Sequence, residues 1–266
     1  MKNLLTAAAV ALTAGAALAQ STDSIQAGAI YTAPAGETIT SVSGVFRVPE
    51  LSVPLIGPYA NRRGIYTFSI HIGIGTRKGY GVSSGCAASA GLIRAGIDVF
   101  YNAYADVSQP FGWYQYGVET DLGAFAYAGL NVAPGDLIKL TATADGSTVT
   151  AVTENYGKVD TTAGKQPVQS MPPTYGVGNT ASGSICRTEA GWLLEDHMTE
   201  EDASLPVIVG NFTDVVFSEL TIRTSGSAVI TGSKLVDMEI EKQGGKLTSC
   251  GFEGENLRCK RVVVPK

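Results

Sequence analysis

The residues that best fit a nucleophile motif are Gly81-Val82-Ser83-Ser84-Gly85, which match the pattern G-x-S-x-G. This pattern indicates a hydrolase only where the serine stands on a turn between a strand and a helix. Here the motif lies in a stretch rich in Gly, Ser and Ala, and no helical pattern follows it. We therefore interpret it as a loop.

His71 is one of two histidines, and it lies in the apolar segment Phe68–Ile74. Alternation along a strand places His71 on one face with Ser69 and Gly73, and the aliphatic side chains on the other face. Because the aliphatic face must be core, we expect His71 to point to a more open face, towards solvent or a cleft. His197 is expected to be exposed. Neither histidine has a neighbour in the sequence that specifies a triad or a metal site.

Aromatic side chains cluster in the segment Phe111–Tyr116. Alternation places Trp113 and Gln115 on one face of a strand, and Tyr114 and Tyr116 on the other. Such a strand could form the floor of a groove for a peptide or a small-molecule ligand, because aromatic rings offer contact area at low entropic cost. Packing between two sheets is the alternative interpretation.

The four cysteines are Cys86, Cys186, Cys250 and Cys259. An even number in an oxidising compartment favours two disulfides. Cys250 and Cys259 flank a predicted hairpin tip, so we pair them, which leaves Cys86 with Cys186. A zinc site is the alternative, but the chain has no C-x-x-C pair and only two histidines. We expect no metal and no cofactor.

The first residues predict a secretory signal peptide at 1–19. One lysine precedes an apolar run that ends in Ala17-Leu18-Ala19, the typical pattern of a cleavage site. The run is too short and too rich in Ala and Gly for a membrane anchor. We therefore expect a secreted, extracellular protein. Asn211-Phe212-Thr213 is an N-glycosylation sequon, and the sequence leaves its use open.

Composition favours an all-β protein. The chain has 32 glycines and only 16% charged residues, which suits short strands joined by Gly-rich turns. Asp145-Gly146 is typical of a tight hairpin turn. The predicted strands are Thr40–Val48, Tyr66–Ile74, Leu92–Tyr101, Gly112–Val118, Asp136–Ala144, Thr148–Glu154, Gly191–Leu194, Val215–Thr224, Lys234–Lys242 and Arg258–Val264.

These elements predict one domain, residues 20–266, built of two packed antiparallel sheets. Residues 20–38 are expected to form a loosely held N-terminal arm, and residues 159–184 a long loop. The formal net charge is -5, and Lys and Arg are not clustered. This argues against nucleic acid and anionic membranes as partners. We expect a monomer.

The chain resembles the fungal glutamic peptidases (eqolisins) from residue 42 to about 242. Seven segments and two closing strands keep the order of the family's motifs. They are V-S-G-V-F-R-V-P (42–49), H-I-G-I-G (71–75, family W-V-G-I-D-G), L-I-R-A-G-I-D (92–98, family I-L-Q-[TA]-G-V-D), W-Y-Q-Y (113–116, family W-Y-E-W), P-G-D-L-I-K (134–139), E-N (154–155), A-G-W-L-L-E-D (190–196, family A-E-W-I-V-E-D) and the closing strands V-V-F (215–217) and M-E-I (238–240).

The resemblance implies a concanavalin-like β-sandwich and a secreted acid endopeptidase. In that family a Glu carboxylate activates water and a Gln amide stabilises the oxyanion, across a cleft. Carried over, the Gln falls on Arg94 and the Glu on Gln115. The supporting Asp and Glu become Gly75 and Gly191, and the Trp becomes His71.

Three hypotheses follow from these substitutions. The first is a pseudoenzyme that lacks the family's proteolysis and binds a peptide or another ligand in an aromatic cleft lined by His71, Trp113 and Tyr114. The second is an acid peptidase that uses a relocated carboxylate, Glu119 or Glu189. The third is a carbohydrate-binding or wall-associated protein, suggested by the sandwich and its aromatic residues.

Overall fold

The computed structural model describes residues 21–23, 25–75, 91–117, 124–145, 148–171, 174–176, 185–196, 208–226, 233–240 and 243–262. Within these ranges the chain forms strands and turns, and no α-helix. No helix of these ranges is therefore long and apolar enough to cross a membrane.

The strands are short, and most carry β-branched or aromatic residues at alternate positions, as the sequence predicts. In chain order they are β1 (Ser21–Asp23), β2 (Gln26–Thr32), β3 (Ile39–Arg47), β4 (Ile65–Ile74), β5 (Leu92–Asn102), β6 (Val107–Ser108), β7 (Phe111–Gly117), β8 (Phe125–Ala126), β9 (Leu137–Asp145), β10 (Thr148–Asn155), β11 (Gln169–Met171), β12 (Thr174–Gly176), β13 (Glu189–Glu195), β14 (Asp214–Thr224), β15 (Lys234–Ile240), β16 (Gly245–Lys246), β17 (Thr248–Glu253) and β18 (Asn256–Arg261).

Two sheets pack face to face, which confirms the predicted fold class. Sheet A has the order β1-β15-β2-β13-β4-β5-β7-β8, with β16 beside β15 and β6 beside β5. Sheet B has the order β11-β10-β9-β3-β14-β18-β17, with β12 beside β10. Paired strands run antiparallel apart from β1 and β15, which are parallel.

The core lies between the sheets and is aliphatic where β4 and β5 face sheet B. Ile70, Ile72 and Ile74 of β4 are fully buried there. Trp192 of β13 crosses the core, and its indole N–H donates to the carbonyl of Ser43 in β3 at 2.8 Å. A Cβ on Gly44 would lie 2.8 Å from the indole, so this glycine makes room for the ring.

Ten of the strands overlap the predicted ones: β3, β4, β5, β7, β9, β10, β13, β14, β15 and β18. The pairing of Asp145 with Thr148 confirms the hairpin between β9 and β10. The predicted loop at 159–184 contains two short strands, β11 and β12, that pair with β10.

The prediction of a loosely held N-terminal arm is wrong. β2 is an interior strand of sheet A, paired with β13 on one side and β15 on the other. Its residues from Gln26 to Tyr31 are buried. The small, polar composition of this segment does not mark it as a strand, but small residues suit a position between two neighbours.

The predicted disulfide between Cys250 and Cys259 is confirmed. The two residues lie directly opposite each other in β17 and β18, so the bond joins the two strands of a hairpin. Cys186 is also disulfide-bonded and is buried. Its expected partner, Cys86, lies outside the described residues.

Candidate functional site on the outer face of sheet A

Most of the predicted site residues that the structure describes lie on the face of sheet A that is turned away from sheet B, here called the outer face. Because side chains alternate along a strand, each strand contributes every second residue to it. Four residues of this face stand directly opposite one another in β13, β4, β5 and β7 and form a row, here called the central row: Gly191, Gly73, Arg94 and Gln115. Arg94 and Gln115 are therefore immediate cross-strand neighbours.

Gly73 allows Arg94 to reach across the sheet. A Cβ at this position would lie 2.7 Å from Cγ of Arg94 and 2.8 Å from the carbonyl oxygen of Ile93. Without a side chain on β4, the guanidinium extends towards β13. Its Nη1 atom lies 3.5 Å from Oε2 of Glu195, which stands on the outer face at the end of β13.

Glu195 is the centre of a buried polar cluster, here called the Glu195 cluster. Its Oε2 atom accepts a hydrogen bond from Nε2 of Gln26 at 2.8 Å and lies 3.2 Å from Nε2 of His71. The Arg94 side chain is 5% exposed and the Glu195 side chain 11%. Four adjacent strands, β2, β13, β4 and β5, thus place their polar groups around one carboxylate.

The row next to the central row carries Leu193, His71, Gly96 and Trp113. The prediction that His71 shares a face with Ser69 and Gly73 is confirmed, but His71 is only 1% exposed, so the expected open surroundings are wrong. The rings of His71 and Trp113 lie 5.8 Å apart. A Cβ on Gly96 would lie 2.6 Å from the Trp113 ring, so this glycine lets the indole lie across β5.

Asp98 forms a second buried acidic position on the outer face. Its Oδ1 atom accepts a hydrogen bond from the indole N–H of Trp113 at 2.6 Å and another from the hydroxyl of Ser69. The three residues come from β5, β7 and β4. Asp98 thereby fixes the orientation of the Trp113 ring beside His71.

Two further predicted positions, Gly75 and Glu189, lie at the other side of the central row. Glu189 of β13 is 1% exposed, and its carbonyl oxygen accepts a hydrogen bond from the amide of Gly75 at 2.9 Å. Gly75 has φ +92°, and a Cβ there would lie 2.9 Å from Cβ of Leu92. A side chain at position 75 would be strained in this backbone conformation.

The placement of Tyr114 in the cleft is wrong. Tyr114 lies on the face of β7 that is turned towards sheet B, and its ring is 4.9 Å from that of Tyr127 and 5.4 Å from that of Phe125. It closes the edge of the core, as the alternative interpretation had it. On the outer face, Phe111 stacks with Phe100 at 5.3 Å and is 37% exposed.

Other predicted positions lie outside the described residues: Glu119, His197, Cys86 and the serine motif at 81–85. Sequence reasoning missed Gln26, Asp98 and Glu195 as site residues. For Asp98 a signal existed, because residues 94, 96 and 98 share one face of a strand. Glu195 likewise shares a face with Gly191. Gln26 carried no signal, since its segment was interpreted as a loose arm.

Comparison with known proteins decides the family. The model of the peptidase A4 family matches residues 24–261. The chain belongs to the peptidase A4 family, the eqolisins. It is 27% identical to aspergillopepsin-2 of Aspergillus niger over 235 residues, which cover 84% of this chain and 73% of that protein. It is 25% identical to scytalidopepsin B of Scytalidium lignicola over 197 residues, covering 68% of this chain and 69% of that protein.

A solved structure with a looser likeness is the enzymatically active domain of tailspike protein 2 of bacteriophage CBA120. The match has a TM-score of 0.31 and 10% identity, and it covers 77% of this chain and 30% of that one. A likeness at this level carries no information about function.

The central row brings together three positions that the motif resemblance singled out. Arg94, Gln115 and Gly191, onto which the resemblance carries a Gln, a Glu and a Glu of the family's motifs, lie in one row across sheet A.

Proposed function

We propose that this chain is a secreted eqolisin that has lost the peptidase chemistry of its family and uses the outer face of sheet A to bind peptide. The observation that carries the proposal is the central row, which crosses four adjacent strands without a carboxylate. The disulfide between Cys250 and Cys259 supports an oxidising, extracellular compartment.

The chemistry of the row explains the proposed loss. Peptide hydrolysis of this kind needs a group that takes a proton from water. The amide of Gln115 has no basic electron pair, Gly191 has no side chain, and the guanidinium of Arg94 offers only hydrogen-bond donors. Arg94 could donate a hydrogen bond to an oxyanion, but no base in the row would generate the nucleophile.

Two acids of the outer face, Glu195 and Asp98, are already bound by neighbouring donors. Oε2 of Glu195 contacts Gln26, His71 and Arg94. Oδ1 of Asp98 contacts Trp113 and Ser69. These donors hold the two carboxylates in place within the sheet.

Glu189 favours the alternative, an acid peptidase with a relocated base. It lies on the outer face two residues from Gly191 and is buried beside the central row. Glu189→Gln is therefore the decisive variant. The secreted protein, shown to be folded by its circular dichroism, would be incubated with denatured casein across the acid range.

We expect no cleavage above that of a casein blank. Cleavage by the natural chain that disappears in Glu189→Gln would establish the alternative and refute the proposed loss. Glu119→Gln, made in parallel, tests the other relocated carboxylate that the sequence suggests.

Peptide binding is supported by the exposed aromatic surface that continues from the site. Phe111, stacked on Phe100, stands at the edge of the outer face next to Trp113 in the same strand. Half-buried Gln115 offers both a donor and an acceptor to a peptide backbone. Aromatic rings beside an amide suit an extended peptide.

Binding would be measured by the fluorescence anisotropy of labelled casein peptides. We expect Phe111→Ala to weaken binding at least severalfold, because it removes the exposed ring of the outer face. Phe125→Ala is the matched control, since Phe125 is also 37% exposed but pairs with Tyr114 on the opposite face. Equal effects of the two changes, or no binding by the natural chain, would contradict the proposed surface. Binding of oligosaccharides in place of peptides would favour the carbohydrate-binding alternative.

A further inference from the structure

The sequon Asn211-Phe212-Thr213 lies directly before β14, and its backbone pairs with that of Ser52. The amide of Asn211 donates to the carbonyl of Ser52, and the amide of Ser52 donates to the carbonyl of Asn211, both at 2.9 Å. Phe212 is buried and packs on Phe68 with ring centroids 4.7 Å apart. Because neighbouring side chains alternate, Asn211 and Thr213 point away from the core.

The side chain of Asn211 stands at the rim of two cavities. Its Nδ2 atom donates to Oγ of Ser52 at 3.1 Å in an exposed position, and Thr213 is exposed. One cavity has a volume of about 700 Å³ and the other about 240 Å³. The larger one, here called the Asn211 groove, is lined by side chains on the outer side of sheet B, among them Arg47, Val216 and Arg258.

We propose that Asn211 carries an N-linked glycan whose first N-acetylglucosamine rings lie in the Asn211 groove. In the transfer, Nδ2 of Asn211 forms a bond to C1 of a lipid-linked oligosaccharide and loses a proton, and the bond from C1 to the diphosphate of the carrier breaks. The groove volume lies in the range of small-molecule sites, so it accommodates sugar rings. Its lining includes Glu50 and Asp214, whose carboxylates can accept hydrogen bonds from sugar hydroxyls.

The position of the glycan keeps it away from the peptide site. Val216 and Arg258 pair across β14 and β18 of sheet B and face away from the core. The outer face of sheet A lies on the other side of the sandwich. A glycan at Asn211 would therefore shield the surface of sheet B and leave the central row open.

The test uses the chain secreted by yeast behind a yeast leader in place of residues 1–19, so that it enters the secretory pathway whether or not its own signal works there. The intact mass of protein from the medium is compared before and after treatment with PNGase F, and the tryptic peptide containing Asn211 is sequenced. We expect a mass decrease on treatment and conversion of Asn211 to Asp. Thr213→Ala should abolish both, whereas Thr213→Ser, which keeps the sequon, should retain them.

Folded protein from the medium with an unmodified Asn211 would overturn the proposal. Placement in the groove has its own readout, the rate of amide hydrogen exchange in residues 47–52. We expect slower exchange in the glycosylated chain than in both the PNGase-treated chain and Thr213→Ala. Equal rates in all three would refute the placement.

Discussion

The contact between Arg94 and Glu195 allows a quantitative prediction, because both side chains are buried. Arg94→Met removes the cation and keeps much of the length of the side chain. It leaves the contacts of the Glu195 carboxylate with Gln26 and His71 in place. Glu195→Gln removes the matching charge. A double-mutant cycle of the two changes isolates their interaction from the other contacts of each residue.

The magnitude follows from the distance and the burial. At 3.5 Å, and with an effective dielectric constant of about 20, the attraction between two unit charges is roughly 4 to 5 kcal/mol. Desolvation of both groups offsets part of this value. We therefore expect a coupling free energy of about 2 kcal/mol at neutral pH, and a loss of about 2 to 4 kcal/mol in Arg94→Met alone.

The assay is urea unfolding of the four proteins of the cycle, followed by tryptophan fluorescence. A matched control exists in Arg47 and Asp160, whose charged atoms are also 3.5 Å apart but whose side chains are 44% and fully exposed. The cycle of Arg47→Met with Asp160→Asn should give a coupling below about 0.5 kcal/mol. If the two cycles give the same coupling free energy, burial does not strengthen the ion pair of Arg94 and Glu195, and the prediction is refuted.

Two further predictions concern packing and pH. Gly96→Ala should lower the free energy of unfolding by about 1 to 3 kcal/mol, because the added Cβ meets the Trp113 ring. Gly251→Ala, where no atom lies within 4 Å, should change it by less than about 0.5 kcal/mol, and equal losses in urea unfolding would contradict this. Burial raises the pKa of Tyr127 from its ordinary value of 10.0 to about 12. The folded state therefore keeps this proton where the unfolded state has lost it, and stability should fall by up to about 2 kcal/mol as the pH rises through this range. Tyr127→Phe should therefore lose less stability than the natural chain as the pH rises through this range. If the free energy of unfolding of the two proteins depends on pH in the same way, the prediction is refuted.

Sequence patterns predicted much of the fold for a physical reason. β4, β5 and β9 carry aliphatic residues at alternate positions, and this period identifies both the strand and its buried face. The same period placed His71 on the face opposite the aliphatic core and Gln115 on one face with Trp113, whereas Arg94 was singled out only by the family resemblance. What it could not supply was β2, whose Gln26-Ala27-Gly28-Ala29 start has no hydrophobic alternation and gains its burial only from the strands on either side.

The composition of the site was only partly predictable. Which strands are neighbours in a sheet follows from long-range pairing, which local patterns do not encode. Gln26 and Glu195 are 169 residues apart in the sequence and become neighbours through the pairing of β2 with β13. The predicted open surroundings of His71 were wrong for the same reason. Alternation gives the face of a strand on which a side chain lies, but not which residues cover that face.

The most direct test of the central claim is to return a carboxylate to the central row. Arg94→Gln combined with Gln115→Glu places an amide and an acid directly opposite each other, and Arg94→Gln combined with Gly191→Glu places them on either side of Gly73 in the same row. The second pair demands a shift of β2, because a Cβ at position 191 would lie 2.8 Å from the carbonyl oxygen of Ala29. We predict that at least one folded double variant hydrolyses denatured casein in acid and that the parent chain does not. Two folded but inactive revertants, or an active parent, would contradict the claim that the missing base is what silences this site.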